Sequence, residues 1–375
     1  MRFGAMWLDA DRPRFGRPAL SVELLYSDFG VAGIDELSER VDALLNSGDV
    51  EVLVRVDVRP GQTIPAVNDF DGKFAYTQFL RRVATHPVLG RASGVIIGNE
   101  PNLSSESSDQ KPFPADWYMK VHSGVHADPS DDADARTQLR DAGYQGDILI
   151  AAVAPWSDNA DGQLQFYPKP SGARDTMAWH RYLSTLYWYA FNASRLTRDE
   201  VKGALHTYSN VLMCRANGHD PALEPTFASK LRLKDFKDCQ YGIRVYQEFR
   251  QQMEAQAGGA GVPHYVTEWN SFVGSTTRAL DDPAWPCNNY PEGLLPNVVK
   301  YMASQDNLLG FAVFVDRDPV GGSPIWRACA AKGHLAPVDM SDDQRARLEA
   351  WDRDMDQVFR AGWEVPDPAL AAGVR

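Results

Sequence analysis

Short apolar, β-branched runs recur along the chain, separated by longer stretches in which apolar residues return every three or four positions. The short runs are FGAMWL from Phe3, LSVELLY from Leu20, EVLVRVDV from Glu51, GVIIGN from Gly94, DILIAAVA from Asp147, GALHTY from Gly203, HYVTEW from His264 and LLGFAVFV from Leu308. Runs of this length and content read as strands. The periodic stretches, including Ile34–Asn46, Phe74–Ala84, Met177–Phe191 and Gly242–Gln256, read as helices. Strands alternating with helices predict an α/β fold with a parallel sheet, and eight of them predict a (β/α)8 TIM barrel.

No repeat and no linker interrupts the pattern, so residues 1–375 are read as one barrel domain. A closing helix is expected at about 341–360: Ser341, Asp342 and Asp343 suit its start, and Pro366 and Pro368 forbid its continuation. The first connection is the exception to the pattern. Only DADRPRFGRPAL separates the first two strands, too short for a comfortable helix and return. Elsewhere the segments before strands are tight, as in GGAGVP before His264, whereas those after strands are long and polar, as in SSESSDQKPFPADW after Glu100. Long loops therefore gather at the carboxyl ends of the strands, where barrels of this kind carry their chemistry.

Charge narrows the range of partners. The 375 residues carry a formal net charge of -12 with no dense run of Lys and Arg, which removes the attraction that nucleic acid or an anionic membrane requires. No apolar run approaches the roughly 18 residues of a membrane span. The opening MRFGAMWLDADRP has no charged segment followed by an apolar one, and strand-like sequence begins by Phe3. A secreted protein whose leader is not in this chain and a cytoplasmic protein both fit that start.

Two of the strands end on carboxylates. GVIIGNEPN brings Asn99 and Glu100 to the end of the fourth run, and TEWNS brings Glu268 to the end of the seventh. Fourth and seventh strands stand on opposite sides of a barrel mouth, an arrangement suited to a pair of carboxylates flanking a glycosidic bond. One would protonate the departing oxygen while the other attacks the anomeric carbon or activates water, so their proton affinities would have to differ. Asn99 is placed to hydrogen-bond the sugar hydroxyl beside the reacting carbon. At the end of the sixth run, HTY adds His206 and Tyr208 on one side of a strand, His206 to tune the site or bind a hydroxyl and Tyr208 to orient Glu268.

NEPNL, HTY and TEWNS together resemble the signatures of the large retaining glycosidase clan A, built on (β/α)8 barrels, whose members include the cellulase-like family 5 and the β-xylosidase and iduronidase family 39. The resemblance implies Glu100 as general acid/base, Glu268 as nucleophile, a β-linked polysaccharide or oligosaccharide as substrate, and no cofactor. It also implies an arginine from an early strand near the nucleophile, for which Arg55 and Arg59 are the candidates. The Trp that many clan members carry after the eighth strand is missing from GFAVFVDRDP, where Asp316 and Asp318 stand instead. A carbohydrate-binding barrel without turnover, or a transglycosidase using the same residues, would share these motifs.

Simpler roles compete for the remaining chemistry-bearing residues. Trp156, Trp117, Trp269 and Trp285 fall on or just after strand ends, where ring faces could stack on sugars, while Trp179, Tyr182, Tyr187, Trp188 and Tyr189 fall in a helix and read as packing residues. His86, His180 and His264 sit at helix or strand-start positions with no chemical role. No zinc-binding spacing of His or Cys occurs, and DPSDDADA from Asp128 lacks the Gly and terminal Glu of a calcium loop.

Cys214, Cys239, Cys287 and Cys329 all lie after the sixth, seventh and eighth runs. Pairing Cys214 with Cys239 and Cys287 with Cys329 would pin two long loops, each bridge contributing about 3 to 4 kcal/mol, and would require an oxidising compartment. Full pairing predicts no reactive thiol in denatured, unreduced protein; a titration that counts four excludes it.

Overall fold

Every one of the eight runs forms a strand: β1 (Arg2–Met6), β2 (Ala19–Tyr26), β3 (Val50–Asp57), β4 (Gly94–Ile97), β5 (Asp147–Ile150), β6 (Lys202–His206), β7 (His264–Glu268) and β8 (Leu308–Val313). In the computed structural model they close into a parallel barrel in the order β1-β8-β7-β6-β5-β4-β3-β2, so chain neighbours are sheet neighbours. The structure describes residues 1–125, 134–154, 157–158, 164–165, 179–194, 196–207, 209–210, 245–269, 271–272, 294–313 and 353–362. These fall into two compact units, one from residues 22–206 and 248–265, the other from residues 1–21, 207–247 and 266–375. The second pair of cysteines, the first pair, Trp156, Tyr208, Trp285, Asp316 and Asp318 all lie outside the described residues.

The helices follow the predicted periodicity with shifted ends. They are α1 (Gly30–Asn46), α2 (Phe70–Thr85), α3 (Ala115–His122), α4 (Ala135–Asp141), α5 (Trp179–Trp188), α6 (Val245–Gln256), α7 (Leu294–Ala303) and α8 (353–361), which overlaps the expected closing helix, whose start at Ser341 lies outside the described residues. The second helix starts a turn before Phe74 because Asp69 caps it, its Oδ1 accepting the Gly72 N–H at 2.8 Å. Asp134, the acidic residue of DPSDDADA that falls among the described residues, does the same for α4 by accepting from the Thr137 N–H and hydroxyl, both at 2.8 Å. The fifth helix widens into a π-helical segment over Tyr189–Ala193. Trp179, Tyr182 and Tyr187 are buried as expected, Trp179 stacking on Phe249 of α6 at 4.5 Å, whereas Trp188 is exposed.

Between β1 and β2 there is no helix. Turns at Arg12 and Arg17 make the connection, with Trp7 and Phe15 in left-handed conformations. Where β1 passes β2, a Cβ added to Gly4 would lie 1.7 Å from the Leu20 carbonyl oxygen, so only glycine fits there. In the same unit, Phe3 packs against Phe311 and Phe359, with ring centroids 6.2 and 5.3 Å away.

Within the unit of residues 22–206 and 248–265, helix side chains hold the strand ends. The Tyr76 hydroxyl of α2 donates to the Val56 carbonyl of β3 at 2.7 Å. The Tyr118 hydroxyl of α3 donates to the Ile97 carbonyl at 2.8 Å and accepts the Ala151 N–H at 2.6 Å, bridging the ends of β4 and β5. Just beyond, the Asn102 amide exchanges two hydrogen bonds with the Ala154 backbone at 2.9 and 3.2 Å. At the opposite ends of the strands, Asp147 receives Lys202 and the Tyr265 hydroxyl, which also meets Glu51.

Tyr118→Phe leaves one buried carbonyl and one buried N–H without partners at the strand ends, and is expected to cost about 1–3 kcal/mol. Urea unfolding followed by circular dichroism measures this as a lower midpoint with an unchanged slope; an unchanged midpoint contradicts the bridging role.

Candidate active site

The fourth strand stops sooner than its sequence implied. Hydrogen bonding of β4 ends at Ile97, and Gly98 turns the chain with φ 77°, its N–H still reaching the Val56 carbonyl at 2.9 Å. A Cβ at Gly98 would lie 2.7 Å from Ile64 and 3.1 Å from the Thr63 hydroxyl. Glu100 then takes φ 35°, a left-handed conformation that costs a non-glycine residue on the order of 1–3 kcal/mol. Pro101 follows, and the Glu100 carbonyl accepts the Leu103 N–H at 2.9 Å. The bend projects Asn99 and Glu100 off the end of the strand with both residues more than nine-tenths buried.

Glu100 meets His206 at the end of β6. The imidazole Nδ1 lies 2.7 Å from Glu100 Oε1, the two groups being buried together. His206 therefore contacts the carboxylate expected to handle the proton. Tyr208, its partner in the motif, lies outside the described residues.

Asn99 is held from two directions. Its Oδ1 accepts from Arg55 Nη1 at 3.1 Å and its backbone N–H reaches the Thr63 hydroxyl. Arg55 and Asp57, two residues apart on β3, face the same way and pair at 3.3 Å. Thr63 donates to Asp57 Oδ1 at 3.2 Å. The loops after β3 and β4 are further joined where the Thr63 N–H donates to the Glu106 carbonyl at 2.9 Å and the Ser108 N–H to Gln62 Oε1 at 2.7 Å.

The two candidate arginines thus separate. Arg55 belongs to the cluster, with its side chain 11% exposed, whereas Arg59 is 53% exposed and pairs with Asp28 at 3.3 Å. Arg59 lines an open cavity of about 800 Å³ beside α2, together with Gln62, Asp69 and Phe74, and neither Asn99 nor Glu100 lines that cavity. The sequence reading overlooked Glu106, a half-buried residue of a 3-10 turn (Ser104–Glu106) inside a serine-rich polar loop. Burial, with the nearby charges of Glu100 and Asp57, raises its carboxyl to a pKa of about 8 against the opposing pull of Arg55 and of the nearby Asn99 amide. Only the fold brings that turn to Asn99, so no local signal marks it. Asp57 had such a signal in its two-residue spacing from Arg55.

In the other unit, Glu268 closes β7 and is buried, its carbonyl accepting the Thr207 N–H at 3.1 Å. Trp269, proposed from sequence as a sugar platform, is instead fully enclosed and packs on Phe311 with centroids 5.7 Å apart, its backbone N–H donating to the Ala312 carbonyl of β8 at 3.1 Å. Trp117 is likewise a packing residue of α3, its indole N–H donating to the Pro65 carbonyl at 2.9 Å. His264 is buried, which lowers its pKa to about 4, and its Nδ1 donates to the Val262 carbonyl at 2.6 Å. His86 accepts the Val88 and Leu89 N–H groups at the end of α2, a structural role as expected. Among the described residues no group of three or more His, Cys, Asp or Glu is arranged to hold a metal ion.

Glu106 makes stability depend on pH. Its folded pKa, about 8, lies above that of an unfolded glutamate, so the folded state binds the proton more tightly. Its contribution is complete below about pH 4.5 and is lost as pH rises through 8. Glu106→Gln, which has no proton to lose, should gain on the parent between those limits and keep a constant advantage above them, about 1–3 kcal/mol after allowance for solvent screening. Melting temperatures of both proteins from pH 4 to pH 9 test this, and parallel curves refute it.

Comparison with protein-family models and with curated proteins finds no match. Among solved structures the chain is similar to a family 1 β-glucosidase from Thermotoga maritima, in complex with isofagomine lactam, at 13% identity and a TM-score of 0.31, over 91% of this chain and 70% of that one.

Proposed function

We propose that this protein is a retaining glycoside hydrolase acting on a β-linked polysaccharide or oligosaccharide. The observation that carries the reading is the strained, buried Asn99–Glu100 turn at the carboxyl end of β4, with His206 2.7 Å from the Glu100 carboxylate. Strain of this kind concentrates where a backbone must present functional groups, and a carboxylate beside an imidazole is equipped for proton transfer. Glu268, buried at the carboxyl end of β7, supplies the second carboxylate.

In the first step Glu268 attacks the anomeric carbon while Glu100 protonates the leaving oxygen. In the second, Glu100 removes a proton from the water that releases the sugar. Asn99 hydrogen-bonds the hydroxyl beside the reacting carbon, a contact that strengthens as positive charge builds on the ring. The chemistry needs no cofactor. If the four cysteines pair as Cys214 with Cys239 and Cys287 with Cys329, the working compartment is outside the cytoplasm.

A panel of aryl β-glycosides with good and poor leaving groups tests the roles. Glu268→Gln should lose turnover by more than about 10³-fold while retaining sugar binding, and a 2-fluoro analogue should label Glu268 in the parent. Glu100→Gln should slow substrates with poor leaving groups far more than those with good ones. Sugar binding without turnover by the parent protein would assign the barrel to carbohydrate binding instead, and accumulation of transfer products over hydrolysis would assign it to transglycosylation.

A further inference from the structure

The open cavity of about 800 Å³ lies within the size range of ligand pockets. Its lining begins at Asp28 after β2 and at Arg59 and Gln62 after β3, then follows α2 from Phe74 to Thr85. That length of helix rises by about 16 Å, so the cavity is a groove suited to a chain rather than to a single sugar. Its upper end adjoins the candidate active site. Gln62 and Ser108, which both line the groove, are joined at 2.7 Å, and the next residue, Thr63, holds the Asn99 backbone N–H.

Two kinds of side chain equip the groove. The Phe74 ring lines it and is 57% exposed. Phe70, one turn earlier on the same helix face, extends the aromatic surface at 61% exposure and is held edge-on by Trp117, with centroids 5.7 Å apart. Bare rings of this kind stack on the apolar faces of sugars. Three guanidiniums also line the groove. Arg59 pairs with Asp28 at 3.3 Å, Arg81 reaches the neutral Gln138 side-chain oxygen at 3.5 Å, and Arg82 pairs with no carboxylate among the described residues. The second carboxylate of the lining, Asp69, is engaged by the Gly72 N–H at 2.8 Å. Arg81 and Arg82 therefore keep their charge for a ligand, in a chain whose net charge is -12.

We propose that the groove along α2 binds an acidic polysaccharide, a chain of β-linked uronate sugars that stacks on Phe74 and is held through its carboxylates by Arg81 and Arg82. A guanidinium presents a planar fork of donors that matches a carboxylate. Asp28 and Asp69 on the same lining repel a densely sulfated chain, so one carboxylate per sugar is the pattern that fits. The inference rests on the hydrolase reading only in taking the bound chain as substrate: a chain leaving Asn99 over Gln62 enters the groove, which makes the substrate class uronate-bearing.

Isothermal titration calorimetry on the full chain tests the groove, using an oligomer of β-linked glucuronate and the glucose oligomer of the same linkage and length. The parent should bind the glucuronate chain about tenfold or more tighter than the neutral one, and rising salt should weaken that binding. Arg81→Gln combined with Arg82→Gln should weaken it by about tenfold or more, and Phe74→Ala by about threefold to tenfold. All three side chains are exposed, and unchanged melting temperatures confirm that the variants fold. Turnover of a short aryl β-glycoside should be the same in these variants as in the parent, while KM for the glucuronate chain rises. The proposal is overturned if the parent does not bind the glucuronate chain, binds the neutral chain as tightly, or prefers a sulfated glucan. Equal binding of polyglutamate, or undiminished binding by both variants, overturns it too. Binding that follows this pattern in a protein that turns over no glycoside overturns the hydrolase reading alone, and turnover without such binding overturns the groove alone.

Discussion

The left-handed backbone at Glu100 is the constraint around which the candidate site is built. A strand that continued through Gly98 and Asn99 would point alternate side chains into and out of the barrel wall and would separate the amide from the carboxylate. The turn breaks that alternation and sets both groups at the strand end. It is held by contacts from every side: the Gly98 N–H on Val56, the Asn99 N–H on Thr63, the Asn102 amide on Ala154 and the Tyr118 hydroxyl on Ile97 and Ala151. Strain of about 1–3 kcal/mol persists only where the surroundings determine the backbone this completely.

The same enclosure creates the electrostatic character of the site. Asp57, Glu100 and Glu106 converge on a region served by Arg55 and His206, and burial amplifies each interaction by excluding water. A cluster with more carboxyls than cations favours holding a proton, and burial together with the charges of Glu100 and Asp57 favours it on Glu106. Stability is lost at neutral pH for the sake of that arrangement, a trade typical of sites where function and folding compete.

How far the site could be read in advance depended on whether its residues were neighbours along the chain. Asn99 and Glu100 are adjacent, His206 ends a strand run, and Glu268 ends another, so each announces itself by standing where an apolar run meets its loop. Arg55 and Asp57 carry the two-residue spacing of one strand face. Glu106 carries no such mark: a glutamate among serines in a polar loop has the same local pattern whether it meets solvent or Asn99. Trp269 misled for the converse reason, since an aromatic after a strand end has the same sequence whether its ring opens to a mouth or turns to Phe311.

The sequence by itself determined the strands, most of the helices, the closed barrel they form and the two carboxylates at strand ends, because each follows from local periodicity and from the short range of backbone hydrogen bonding. Tertiary structure alone decided that Arg55 and not Arg59 joins Asn99, that Trp269 and Trp117 pack rather than present their rings, and that Glu106 shares the enclosure of Glu100. Those outcomes depend on which loops meet after the chain has closed on itself, and burial, which shifts the proton onto Glu106, exists only once they have met.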